Sequence, residues 1–340
     1  MKTSPKISVL MSVYNSASYL KEAMDSVLNQ SFPDFEFIIV NDGSTDKSAE
    51  IIQSYKDDRI FLVQNETNKG LIYSLNLGLD LVRGEYIARM DADDVCMPDR
   101  LKIQLAFMEL SQKVGVLGSD YISFSGSSSK HVSTYAGSDV IKGFLLFSAT
   151  FCHPSLMIRK SVIDENNFRF SIEAKHVEDY ELWTRMSFST EFESVKIPLL
   201  KYRSHSNQVS NTYRELQKKN SDKVRFEYLK KLGFEFTEKQ LGIHQLVSSN
   251  EKIKSFSVLC EIENWLMDLG TQNKAKKCFE EDSFAVVLSK MWKDTCGNTN
   301  LGIKAFFKYR FSVLRKLDKE KTLFETKVFL KCFLRAITDL

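Results

Sequence analysis

The sequence predicts an α/β fold, a mostly parallel sheet flanked by helices and followed by a helical C-terminal region, on three observations. Apolar runs of strand length alternate with segments of helical period through the first hundred residues. That alternation is the pattern of βαβ units, which lay strands parallel under a cover of helices. Each apolar run stops at polar residues, and after Ser210 the chain turns to Lys/Glu-rich helical segments with no repeat or low-complexity tract.

Taken in order, "KISVLMSV" reads as a buried strand. "SASYLKEAMDSVLNQ" then sets Leu20, Met24, Val27 and Leu28 at helical spacing behind a Ser cap, and "FEFIIV" is a second strand. "STDKSAEIIQSY" is a helix opened by a Ser/Thr/Asp cap cluster, "RIFLVQ" a strand, "KGLIYSLNLGLDLV" a helix and "EYIARM" a fourth strand. From about 114 the strands are shorter and less regular ("VGVLGSDYISF", "SLMIRK", "VKIPLLKYR"), around one clear helix, "EDYELWTRMSF". The predicted boundaries are a first domain over 1–213, itself divided near 113, and a helical region over 214–340.

Composition excludes several classes. With 340 residues and 43% hydrophobic content a sizeable core is expected, and 47 basic against 44 acidic residues leave a net +3, too even for a nucleic-acid partner. Six scattered cysteines without a CxxC suit reduced thiols and argue against a structural zinc site. No export signal is expected, since the first apolar run flows into a strand pattern, and the longest uncharged tract falls short of a membrane span. A cytoplasmic location follows.

In a parallel sheet all strands end at one edge, where ligands bind. Here the ends carry Tyr14-Asn15, Asn41-Asp42-Gly43-Ser44, Asn65 and Asp91-Ala92-Asp93. Asp91 and Asp93, one residue apart in extended backbone, point the same way and suit Mg²⁺ or Mn²⁺. An acidic turn capping the next helix, which has Asp99 near its start, accounts for the same charges equally well. An EF-hand is excluded, because counting from Asp91 the sixth position is Cys96 and the twelfth Lys102. "DADDV" also satisfies the D-x-D-x-(T/V) pattern of haloacid-dehalogenase-like phosphatases, with Asp91 as nucleophile and Asp93 as general acid. In that family the motif follows the first strand, whereas three strand–helix units precede it here.

"ISVLMSVYN", "FEFIIVNDGSTDKS", "NKGLIYSLNLGL", "GEYIARMDADDVCMPDRL", "HPSLMIR", "VEDYELWTRM" and "YRSHSNQVS" occur in an order that resembles family 2 glycosyltransferases of GT-A fold, of the bacterial surface-polysaccharide type. The resemblance spans roughly residues 6–210. It implies an inverting transfer of sugar from a nucleotide donor, usually UDP-linked, to a glycan or lipid-linked glycan, with a nucleotide-binding half over about 1–113 and an acceptor half over 114–213. It assigns Tyr14, Asn15 and Asp42 to the nucleotide base, with Ser44, Lys69 and Arg203 as further nucleotide contacts. Asp91 would contact ribose or metal, Asp93 the metal directly, and His205 the metal or diphosphate, with Mn²⁺ or Mg²⁺ as cofactor. Asp179 would be the base that deprotonates the acceptor, with Glu178 and Trp183 positioning it. Beside these stand ordinary readings: an Asx turn for "NDGS", a solvated loop for His205, first-turn acids on a helix for Glu178 and Asp179. His153 in "CHPS" reads as structural. A nucleotide-sugar-binding protein without catalysis is the non-enzyme alternative.

Between 303 and 335 ten basic residues face three acids, a net +7. A helical projection places Lys327, Lys331 and Arg335 opposite Phe329, Leu330, Phe333, Leu334 and Ile337. The apolar side is expected to pack on the domain with its basic side solvated; the alternative is a peripheral contact with an anionic membrane, at the inner face of the cell membrane.

Overall fold

The computed structural model describes residues 4–205, 212–249 and 251–316. They fall into two compact units, one of residues up to 138 with 149–220, the other of 139–148 with residues from 221 onward.

The first unit is built on a nine-stranded sheet. Its first half alternates as the sequence predicts: β1 (Ile7–Val13), α1 (Ala17–Leu28), β2 (Phe35–Asn41), α2 (Ser48–Ser54), β3 (Ile60–Gln64), α3 (Leu71–Leu81) and β4 (Tyr86–Asp91). The four strands are parallel, in the order β3-β2-β1-β4. Every residue of β2 is buried, as are six of the seven in β1, because helices cover both faces. Each fully buried Val, Ile or Phe there contributes about 1.5–3 kcal/mol. α3 approaches β1 so closely that a Cβ on Gly78 would meet Leu10 Cδ1 at 2.2 Å.

Beyond β4 the sheet turns mixed. β5 (Val95–Cys96), α4 (Arg100–Leu110), β6 (Val114–Ser125), β7 (Ser128–Val132), α5 (Ser138–Phe144), β8 (Met157–Arg159), α6 (Lys160–Glu165), α7 (Glu178–Met186) and β9 (Glu191–Arg203) follow. β8 runs antiparallel to β4 and β6, β9 parallel to β6, and β5 antiparallel to β9. The short strand β5 thereby ties the acidic turn after β4 to the last strand of the sheet.

The cap of α1 differs from expectation. Ser16 makes no side-chain cap; its hydroxyl donates to Tyr14 O at 3.1 Å. Asp46 accepts from the Ala17 N–H at 3.0 Å instead, and also from the Ser48 N–H at 2.9 Å, so one carboxylate serves the starts of α1 and α2.

The second unit is helical: α8 (Arg214–Lys231), which begins in the first unit, α9 (Glu238–Ser248), α10 (Phe256–Lys276), α11 (Glu281–Gly297), α12 (Ile303–Phe311) and α13 (Val313–Lys316). Residues 139–148 belong to it as well, a detour that the sequence pattern did not show. Buried His244 receives the Trp265 indole N–H on Nδ1 at 3.1 Å and donates Nε2–H to Leu146 O at 2.7 Å. Among the described residues no helix is long and apolar enough to cross a membrane. Lys327, Lys331 and Arg335, with the projected helix, lie outside the described residues.

Candidate functional site

Because β1 lies between β2 and β4, their carboxyl ends meet: Val13 is in register with Asn41 and Ser12 with Asp91. A cavity of about 440 Å³ opens there. Tyr14 and Asn15, the Asp91–Asp93 turn and the start of α7 line it. Asn15 adopts φ 48°, in the left-handed region that Asn tolerates. It is held by Ser44 Oγ on its N–H (3.0 Å) and by the Thr45 N–H on its Oδ1 (2.8 Å).

The acidic turn is a built structure. Asp91, Asp93 and Asp94 bring carboxylate oxygens within 4.8 Å of one another. His205 Nε2 stands 2.9 Å from Asp93 Oδ2. Asp94 Oδ1 accepts the Arg203 N–H at 2.8 Å, while its buried Oδ2 makes no hydrogen bond among the described residues. Burial, and then repulsion from Asp91, raises the pKa of Asp93, and the same causes with Asp93 added raise Asp94 well above the carboxylate range. Arg203 binds the turn from outside, donating Nε–H to Asp93 O at 2.7 Å and Nη2 to Glu22 at 2.5 Å, and lying over the Tyr19 and Phe124 rings.

Arg89 of β4 is buried in the cavity wall and ion-pairs through Nη1 with Asp91. Burial opposes its charge, but the neighbouring carboxylates, Asp91 foremost, outweigh it and raise its pKa. At the start of α7, Glu178 is 7% exposed and Asp179 is more open to the cavity. Asp179 Oδ1 accepts the Tyr180 N–H at 2.7 Å, within the helix's first turn. Burial, and then Asp179, pushes Glu178 up to about 7; burial likewise raises Asp179, with the Tyr180 N–H and Arg89 opposing.

Of the residues singled out in the sequence, Tyr14, Asn15, Asp91, Asp93, Glu178, Asp179 and His205 share this one cavity. Five others stand behind its wall. Asp42 is 1% exposed, and its carboxylate accepts from Asn65 Nδ2 and from the Lys69 and Gly70 N–H groups at 2.7–2.9 Å, anchoring the loop before α3. Ser44 braces Asn15, and Lys69 lies over the Tyr73 ring, 4.7 Å from its centre. Arg203 is engaged by the acidic turn. Trp183 is fully buried, with its ring edge-on to His153 at 5.7 Å.

His153 itself, read as structural, faces the cavity, and its Nε2 makes no hydrogen bond among the described residues. Burial, and then Arg89, drives its pKa well below the usual imidazole value. Arg89 and His176 were not singled out, and Asp94, one of the acids of the cluster, was given no role. The signal for Arg89 was present: a cation inside the otherwise apolar run "YIARM" needs a buried counter-charge. Nothing local marks His176, held at φ 67° with its ring stacked on Tyr213 at 4.2 Å.

The model of the family described as Glycosyl transferase family 2 matches residues 8–167. A glycosyltransferase of Haemophilus influenzae, otherwise uncharacterized, is 31% identical over 276 residues, covering 75% of this chain and 85% of that protein. EpsE of Bacillus subtilis, named as a glycosyltransferase, is 36% identical over 194 residues, covering 54% of this chain and 68% of EpsE. Among solved structures, S. aureus TarS 1–349 in complex with UDP-GlcNAc aligns with a TM-score of 0.57 at 16% identity, covering 98% of this chain and 92% of that one. That last likeness is one of fold.

Proposed function

The chain belongs to glycosyl transferase family 2, and from that membership and the geometry of its cavity we propose a specific reaction. It moves a sugar from a UDP-linked donor to a hydroxyl of a glycan or lipid-linked glycan in a growing surface polysaccharide, by inverting single displacement. The observation that carries this reading is the meeting, in one cavity, of the Asp91–Asp93–His205 cluster with the paired acids Glu178 and Asp179. A TarS structure carrying UDP-GlcNAc on the same fold supports the choice of donor.

The donor set fits a divalent cation. Hard carboxylate oxygens converge, one buried oxygen of Asp94 makes no hydrogen bond among the described residues, and an imidazole nitrogen stands beside Asp93. Asp93 and His205 would hold Mn²⁺ or Mg²⁺, with Asp91 beside them. A bound cation there supplies Lewis-acid neutralisation of the departing diphosphate. Tyr14 and Asn15 frame the nucleotide base. Asp42 and Ser44 serve it indirectly, by fixing the loops on which those two stand. Asp179 takes the proton from the acceptor hydroxyl as its oxygen attacks the anomeric carbon, and its raised pKa brings it nearer to what a base working at neutral pH needs. Glu178 positions the acceptor. The bond to the nucleotide breaks as the new glycosidic bond forms on the opposite face, so an α-linked donor gives a β-linked product.

The phosphatase alternative is not favoured, since the family membership assigns work to the three strand ends that it leaves idle. The deciding experiment screens UDP-sugars for release of UDP, with p-nitrophenyl phosphate in parallel. Release of UDP from one donor supports the transferase. Hydrolysis of the phosphate ester with beryllofluoride trapped on Asp91 would restore the phosphatase, and donor binding without turnover would leave a binding protein.

A further inference from the structure

α12 presents its apolar side outward. Ala305 and Tyr309 are buried at 0% and 2% exposure, whereas Ile303, Phe307 and Phe311 are 40%, 50% and 78% exposed. The last three are spaced four apart and so form one stripe along the helix. The Phe307 and Phe311 rings are nearly parallel, with centres 6.3 Å apart. Val313, 58% exposed, adds apolar surface in the next helix. A helix that covers a soluble core turns its phenylalanines the other way.

The charges around the stripe identify what it meets. Residues 303–316 carry five Lys/Arg and no Asp or Glu. By helical position Arg310 borders the stripe on one side and Lys304 on the other. Lys308 is already committed to Glu263, at 2.5 Å. Aromatic and aliphatic side chains projecting between cations match the boundary of an anionic bilayer, where rings sink below the headgroups and cations stay among the phosphates.

We infer that the α12 face is an interfacial docking surface for an anionic lipid membrane. This deepens the lipid-linked-acceptor reading by naming where lipid would be met, and it uses no residue of the cavity. Full-length protein is floated with vesicles of phosphatidylcholine alone and of phosphatidylcholine mixed with phosphatidylglycerol, at low salt and without sugar nucleotide. Wild type floats with the mixed vesicles and not with phosphatidylcholine. Phe307→Ser with Phe311→Ser, and separately Lys304→Glu, weaken that binding roughly tenfold or more while UDP release from the donor is unchanged. In Phe311→Trp, indole emission shifts to the blue when mixed vesicles are added.

Wild type that ignores the mixed vesicles overturns the inference, as do stripe variants that bind like wild type. A Phe307→Ser/Phe311→Ser protein that is less soluble, or a Phe311→Trp protein already blue-shifted without vesicles, would place the stripe under residues 317–340. A dimer of the wild type that the double variant dissociates would make it a contact between copies. Vesicle binding without UDP release would count against the transferase reading alone.

Discussion

His205 Nε2 lies 2.9 Å from Asp93 Oδ2, joining residues 112 positions apart. The contact exists because β9 returns beside the turn that follows β4, pinned there by β5 and by the Arg203 N–H on Asp94. A carboxylate and an imidazole, both of a kind that can ligate a divalent cation, are thus held side by side by the sheet itself. Asp93→Ala is expected to abolish metal-dependent UDP binding, and His205→Ala to weaken it about tenfold to a hundredfold. Calorimetry with Mn²⁺ and with a chelator measures both; equal UDP affinities in the two media for wild type would remove the metal from the site.

Asp179→Asn is expected to leave the fold and UDP affinity near wild type and to lower transfer by at least about a hundredfold, the usual scale for losing a general base. Glu178→Gln should cost less. The kinetic split between the two variants decides the assignment, and a larger loss in Glu178→Gln would reverse it.

Glu178 also predicts a pH dependence of stability. Burial and Asp179 raise it from 4.5 to about 7 in the folded chain, with Arg89 opposing and Asp91 adding to the rise. Between those values the folded state holds a proton that the unfolded state has released, so stability falls as pH rises through that window. The loss is at most about 3 kcal/mol. Denaturation midpoints of wild type and Glu178→Gln should converge near pH 4.5 and separate in favour of the variant by pH 8. Parallel curves would contradict the burial of this carboxyl.

Arg89→Met removes a buried cation and leaves Asp91 without its ion pair. Such losses cost about 3–5 kcal/mol when both partners are buried. Asp91 retains 32% side-chain exposure and can rehydrate, so a smaller loss, about 2–3 kcal/mol, is expected. Urea titration at neutral pH checks it, and a variant as stable as wild type would mean that Arg89 is not needed for charge balance.

Gly43→Ala should destabilise the chain by about 2 kcal/mol or more. Gly43 has φ +67°, and a Cβ there would lie 2.5 Å from the Thr67 carbonyl carbon. The clash would part the Asp42 turn from the loop whose N–H groups its carboxylate holds. Thermal melts of the variant report the cost.

Much of this molecule is legible along the chain. The alternation of apolar runs and helical segments was enough for four parallel strands, because strand burial and helix amphipathicity are periodic and local. The polar ends of β1 and β4 could be read as one site because a parallel sheet brings all its strand ends to one edge, whereas the acids of α7 joined them only through the family resemblance. Three-dimensional packing decided the rest. Whether Asp42 and Arg203 face the cavity or brace it depends on which partners fill their hydrogen bonds: Asp42 accepts from Asn65, Lys69 and Gly70, and Arg203 donates to Asp93 and Glu22. His153 looks structural from its proline neighbour, yet the antiparallel turn of β8 against β4 carries it to the cavity wall. Asp46 rather than Ser16 caps α1 because α2 starts alongside. In each case the deciding partner is distant in sequence, and no local periodicity encodes a contact made only when the sheet is assembled.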